Sequence, residues 1–215
     1  SLALRSIQRA RLAGWAAQWH DRVDQLPDDR PLVIIANEFF DALPIRQRRA
    51  DKELHIGFED GLFMPQWLPA DGPDAEWSEA AQAIMGHLSG RIAAQGGAML
   101  IIDYGYGGQV IEKVPLDTLQ AVHRGEKVSP FYDPGAHDLT AHVDFATLAG
   151  MAELSGATVH GPIAQGDFLG LLGIADRTAA LARAHPDRGP DLAEAHRRLT
   201  HPAEMGSLFR VLGLT

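Results

Sequence analysis

The sequence predicts an α/β domain: a mainly parallel sheet with an antiparallel edge strand and a β-hairpin insertion. Three observations predict it. Two continuous apolar runs, Leu32-Val33-Ile34-Ile35-Ala36 and Ala98-Met99-Leu100-Ile101-Ile102, flank a stretch of helical periodicity. A run that is apolar on both faces reads as a strand buried in a parallel sheet. Asp60-Gly61 lies between two β-rich segments, which is hairpin chemistry. Strands that alternate with helices give a sheet with helices on its faces. The chain has 215 residues, one domain's worth.

Each element follows in order. Residues 2–13 read as a helix ended by Gly14, with Leu4, Ile7, Ala10 and Trp15 roughly on one side. Trp15 to Trp19 is a short apolar stretch before His20 and Asp21. The first buried strand is 32–36, bounded by Pro31 and Asn37. Residues 45–70 form the hairpin insertion, and Pro65, Pro69 and Pro73 limit its continuation. Trp77, Ala81, Ile84, Leu88 and Ile92 recur at steps of three and four, so 74–95 is predicted as a helix stopped by Gly96-Gly97. The strand 98–102 ends in Asp103. Residues 104–142, rich in Gly, Pro, His and Asp, are predicted as a long loop and active-site lid. Helices are expected at 144–155, 176–185 and 190–200, with a helical turn at 167–173. Strands 157–160 and 207–212 complete the sheet as an antiparallel pair.

Composition narrows the function. With 46% hydrophobic and 22% charged residues the chain is globular, and no apolar run approaches the ~20 residues of a membrane helix. A net charge of -9 argues against nucleic acid as a partner. The absence of cysteine removes disulfides and thiolate metal sites. Residues 1–20 hold three arginines and no acid, which fits either a transit peptide or an ordinary helix.

Ligands of open α/β sheets sit at the carboxyl ends of strands. Two acid-bearing turns occupy those positions here: Asn37-Glu38-Phe39-Phe40-Asp41 and Asp103-Tyr104-Gly105-Tyr106. Glu38 and Asp41 are three apart, so a helical turn would put both on one face. The plainer alternative has Asp41 capping that turn and Glu38 facing water. His123, His137, Asp138, His142 and Asp144 crowd the long loop. They can be read as a metal site, or as a polar cleft in which Asp138 and Thr140 cap the next helix. The second reading is preferred, and no metal is expected.

The strings NEFFDALPI, GGAMLIIDYGYGG and DLTAHVDF, with WHD at 19–21, DTLQA at 117–121 and QGDFLGLLGI at 165–174, resemble the motif series of the MidA family. The match runs in order along the whole chain. The resemblance implies an S-adenosylmethionine-dependent methyltransferase with the sheet order 3-2-1-4-5-7-6 and strand 7 antiparallel. In that scheme 15–19 lies near strand 3, 32–36 is strand 4, 98–102 strand 5, 157–160 strand 6 and 207–212 strand 7. Such folds open with a glycine-rich turn and a ribose-binding acid, and these 215 residues hold neither. The sequence reads as the part that follows them. Half the cofactor pocket is then absent, strand 4 has a bare edge, and the chain alone is expected to be inactive.

The resemblance also implies roles. Glu38, Asp41 and Asp103 are the catalytic candidates, orienting a guanidinium that stays protonated near neutral pH. Asp21 and Asn37 are cofactor-binding, although Asp21 equally suits a helix cap or surface acid. Tyr104, His123, Asp138 and His142 are substrate-binding. The implied acceptor is a protein arginine on a respiratory complex I subunit. The implied location is the cytoplasm in a bacterium and the mitochondrial matrix in a eukaryote. A non-catalytic assembly module and a metal-dependent hydrolase are the competing functions. Acceptor identity, methyl number and oligomeric state stay open.

Overall fold

The computed structural model describes residues 2–108, 115–123, 125–133 and 135–215. Its elements are α1 (Leu2–Arg11), β1 (Leu32–Asn37), β2 (Arg46–Arg49), β3 (Lys52–Glu59), β4 (Leu62–Pro69), β5 (Ala75–Trp77) and α2 (Glu79–Gln95). They continue with β6 (Gly97–Tyr106), β7 (Gln120–His123), β8 (Glu126–Val128), β9 (Asp138–Thr140), β10 (Val143–Asp144) and α3 (Phe145–Leu154). The last are β11 (Val159–Ala164), α4 (Gln165–Leu171), α5 (Ile174–Ala184), α6 (Gly189–Thr200) and β12 (Phe209–Leu214).

The main sheet runs β1-β6-β12-β11. β1 lies parallel to β6, in register from Leu32 opposite Gly97 to Asn37 opposite Ile102. β12 is antiparallel to both β6 and β11. This is the 4-5-7-6 half of the expected order, with β12 as the reversed strand. Short β10 extends the sheet beside the carboxyl end of β6, pairing Val143 with Gly105. There a Cβ on residue 105 would stand 2.1 Å from the Val143 carbonyl oxygen, so only glycine lets the two backbones meet.

The core lies between one face of this sheet and helices α2 and α3. Met85, Leu88 and Ile92 of α2 and Phe145, Leu148 and Ala152 of α3 pack on Met99 and Ile101 of β6 and Leu212 and Leu214 of β12. Both helices carry sequence-encoded caps. The Ser78 side chain accepts from the Ala81 N–H at 3.1 Å, and Asp144 accepts from the Thr147 N–H at 3.0 Å. Gly96, at φ 76, ends α2.

Several expectations are corrected. Residues 15–19 form no strand, because no partner strand lies beside them among the described residues. β1 is buried on one face only: Val33 and Ile35 are 84% and 73% exposed, since no described element covers that side. Residues 75–77 are a strand pairing with β2, so α2 starts at Glu79. Asp138 and Thr140 do not cap α3; they pair with β7, and Asp144 is the cap. The span 104–142 holds a three-stranded antiparallel sheet, β8-β7-β9, where a loop was expected. Residues 109–114, 124 and 134 of that span lie outside the described residues.

The insertion is a second sheet, β4-β3-β2-β5. β3 and β4 form a hairpin from Lys52 opposite Pro69 to Glu59 opposite Leu62. Asp60 and Gly61 turn it at φ 51 and 83, the left-handed pair a tight hairpin needs.

Candidate functional site

The parallel pairing of β1 and β6 brings the two acid-bearing turns side by side. Asp103, fully buried, is the pivot. Its Oδ2 accepts from the N–H of Phe40 at 3.0 Å and of Asp41 at 3.3 Å, and its Oδ1 from the N–H of Tyr104 at 3.0 Å. Burial, followed by the neighbouring Asp41 charge, pushes the Asp103 carboxyl up to about 7, and the three N–H donors oppose that rise. The side chain therefore shapes the turn after β1 and spends its acceptors on backbone.

Asp41 is also buried and accepts the Tyr104 hydroxyl at Oδ2, 2.5 Å away. Burial and this carboxylate push the Tyr104 phenol well above its ordinary range, so it is a fixed donor at physiological pH. The Tyr104 ring meets the edge of His142 at 5.6 Å and of Phe209 at 5.5 Å. Burial holds the His142 imidazole below its usual value, and its backbone N–H donates to the Thr118 hydroxyl at 2.8 Å.

Glu38 stands apart from this buried group. It is exposed, its N–H donates to the Ile102 carbonyl at 2.9 Å, and its backbone takes φ 47. Such a φ is uncommon and costly for a non-glycine residue. No helical turn spans 38–41. The spacing argument that placed Glu38 and Asp41 on one helical face thus gives way to a strained turn with one acid outside and one inside. Asn37 donates its side-chain amide to Glu38 Oε1 at 3.3 Å.

The remaining predicted residues lie elsewhere. Asp21 is paired with Arg5 on the rim of a cavity of about 670 Å³. Phe39, Leu43, Ile84 and His87 also line that cavity. His123 and Asp138 belong to β7 and β9; the end of β9 adjoins the first turn, where the Ala141 N–H donates to the Asp41 carbonyl at 2.9 Å, but neither side chain is bonded to the acids of the two turns. His123 meets His137 instead, Nδ1 to Nδ1 at 3.2 Å. No group of three metal-ligating side chains occurs among the described residues.

Two buried carboxylates, Glu53 in the insertion and Glu76, were not singled out from the sequence. Glu76 accepts from the Gln47 side chain at 2.6 Å, from the Thr118 N–H at 2.9 Å and from the Thr118 hydroxyl. It ties the insertion to the segment that leads to His142, and it lines a cavity of about 410 Å³ with Phe40, Tyr106, His142 and Asp144. Its only signal was a neighbour, Trp77, whose helical spacing concealed the three-residue strand.

Residues 1–163 match the family model described as "Putative S-adenosyl-L-methionine-dependent methyltransferase". The protein arginine methyltransferase NDUFAF7 homolog, mitochondrial, of Drosophila melanogaster is 32% identical over 231 residues, covering 94% of this chain and 51% of that protein. The human protein arginine methyltransferase NDUFAF7, mitochondrial, is 29% identical, covering 94% of this chain and 49% of that one. The chain thus spans about half the length of the curated relatives it matches. An uncharacterized protein of known structure from Burkholderia thailandensis superposes with a TM-score of 0.81 at 27% identity, over 99% of this chain and 63% of its own. Another structure from that organism, bound to S-adenosyl-homocysteine, gives 0.78 at 26% identity, over 98% and 60%.

Proposed function

Because the chain belongs to this family of S-adenosyl-L-methionine-dependent methyltransferases, we propose that it takes part in methyl transfer to a protein arginine, with the turn after β1 as the acceptor-facing part of the site. The observation that carries the reading is that turn: Glu38 is exposed on strained backbone, and Asp103 pins Phe40 and Asp41 just beyond it. Ala50, Asp51 and Asp60 take a similar φ in hairpin turns, whereas Glu38 takes it at the carboxyl end of a main-sheet strand, where a ligand of this fold would sit.

S-adenosylmethionine, when bound, supplies an electrophilic methyl on a sulfonium. The cavity bordered by Asp21, Phe39 and Leu43 suits the adenosyl end, with apolar walls for the ring and a carboxylate at the rim for its amine. Glu38 is the residue we assign to the guanidinium, through a bidentate charge-assisted pair that orients one nitrogen. Asp41 stays anchored by Tyr104 and supplies negative charge behind that pair. Methylation would leave the guanidinium nitrogen with one proton to lose, and the exposed Glu38 carboxylate paired with it would be the acceptor; the negative charge of Glu38 and Asp41 would hold the cationic guanidinium in place until then. The arginine acceptor rests on what the NDUFAF7 relatives are named for. A respiratory complex I subunit, implied by the motif resemblance, is the first acceptor to try. A bacterial cytoplasmic or mitochondrial matrix location belongs to the same proposal.

The test uses the chain joined to a glycine-rich strand–turn–helix unit that pairs with β1, and measures transfer of labelled methyl from S-adenosylmethionine to such a subunit, with S-adenosyl-homocysteine binding followed by calorimetry. Transfer that Glu38→Gln abolishes supports the reading. Cofactor binding without transfer to any arginine would favour the non-catalytic assembly module instead.

A further inference from the structure

We infer that the apolar face of the β3–β4 hairpin is the docking surface for the polypeptide that carries the methyl acceptor, and that this polypeptide presents apolar side chains beside a basic acceptor residue. The inference rests on the methyltransferase reading and deepens it. The hairpin register sets Leu54 opposite Trp67, Ile56 opposite Pro65 and Phe58 opposite Phe63. Alternation puts all six on one face. Their exposure rises toward the tip: Ile56 is 52% and Phe58 66% exposed. The Phe58 and Phe63 rings touch at 4.9 Å, so the strip is a built surface rather than scattered apolar residues.

Two features name the occupant. The first is continuity. Leu54 and Ile56 line a cavity of about 290 Å³ together with Leu139, Thr140 and Asp41. The strip therefore begins at the candidate site and runs outward along the hairpin. At ~3.3 Å per residue it matches an extended peptide of about four or five residues, with alternate side chains facing the strip. The second is charge. Asp41 lines that cavity, Glu59 and Asp60 stand at the hairpin tip, and the whole chain carries -9. A second copy of this chain would set like charges against each other. A basic polypeptide with apolar residues next to its arginine meets acids at the tip and at Asp41; the Arg49 guanidinium over the Trp67 ring of the strip is already paired with Asp117 at 3.4 Å.

The probes are short fluorescein-labelled peptides with one central arginine and either leucine or serine at alternate flanking positions. Binding to the protein is read by fluorescence anisotropy. The leucine peptide is expected to bind at least about tenfold more tightly than the serine peptide. Phe58→Ser with Phe63→Ser should erase the difference while S-adenosyl-homocysteine affinity stays unchanged. Phe63→Lys alone, at a site already 42% exposed, should weaken the preference without touching the fold. Equal binding of the two peptides by the unaltered protein would overturn the inference. So would a leucine preference that survives both variants. Light scattering that shows a dimer dissociating in the double variant would assign the face to a second copy and overturn it as well. Leucine preference without any methyl transfer counts against the methyltransferase reading and leaves the surface standing. Transfer without that preference does the reverse.

Discussion

At φ 47 the Glu38 backbone occupies the left-handed region, which costs a side-chain-bearing residue about 1–2 kcal/mol. The bond from its N–H to Ile102 and the grip of Asp103 on Phe40 and Asp41 hold it there. Glu38→Gly should therefore stabilise the protein by about 1 kcal/mol in urea unfolding and stop methyl transfer. Loss of stability would show that the Glu38 side chain is structural. Glu38→Gln keeps the shape and removes the charge. It should lower transfer by about two to three decades, on the order of 2–4 kcal/mol, with cofactor affinity unchanged. Normal transfer would move suspicion to Asp41. Asp103 yields a pH prediction. Its carboxyl is raised to about 7, above its ordinary value in the unfolded chain, so between those values the folded state holds a proton that the unfolded state has released. Its contribution is complete at low pH and is lost as pH rises through 7, with a slope approaching about 1.4 kcal/mol per pH unit. Unfolding free energies measured from pH 4 to 8 should show this decline, and Asp103→Asn should flatten it; parallel curves would refute the assignment. The place of Glu38 at the carboxyl end of a buried strand was legible in the string Asn37–Asp41. Its strain was not, because a residue's φ is set by bonds to Ile102 and Asp103, sixty-odd positions away.

β6 organises the elements around it. It pairs with β1, β12 and β10, and its carboxyl end carries Asp103 and Tyr104. Gly105→Ala would drive a methyl into the Val143 carbonyl and should cost about 1–3 kcal/mol, seen as a lower urea midpoint and faster amide exchange at 143–147. Unchanged exchange there would mean that β10 is not tied to β6. Glu76 performs a similar office for the insertion, joining β5 to β2 and to Thr118. Glu76→Ala leaves the Thr118 donors unpaired in a buried place and should cost about 1–3 kcal/mol. The measurement is exchange at 115–123, expected to quicken while that of α2 holds. The long elements were legible because their apolar patterns are local: β1, β6, α2 and α3 were all expected near their observed places, although the caps Ser78 and Asp144 were not read. The sheet β8-β7-β9 was not. Strands of three or four residues carry no readable period, and their pairing depends on partners such as Thr118 that only the fold brings near.

Across the whole molecule the main sheet presents a β1 edge, with Val33 and Ile35 open on one face. An edge of that kind is a surface for another strand or a liability for aggregation. We expect this 215-residue chain to bind S-adenosylmethionine weakly by itself. The same chain joined to a glycine-rich strand–turn–helix unit that pairs with β1 should bind at least about tenfold more tightly. Tight calorimetric binding by the short chain would place the cofactor wholly within these residues. Among the described residues no helix is long and apolar enough to cross a membrane. While the order of the main strands was implied by the motif resemblance, the sequence by itself determined the class of fold and the two turns that bear the acids. Those features rest on apolar periodicity, caps and turn residues, which act over a few positions along the chain. Tertiary structure alone decided which acid is buried and which is presented. Asp103 and Asp41 turn inward because Tyr104 and three backbone N–H groups satisfy them there, while Glu38 is turned outward by the strain of the same turn. A carboxylate's surroundings fix its charge and its reach, and those surroundings are assembled from parts of the chain that no local pattern connects.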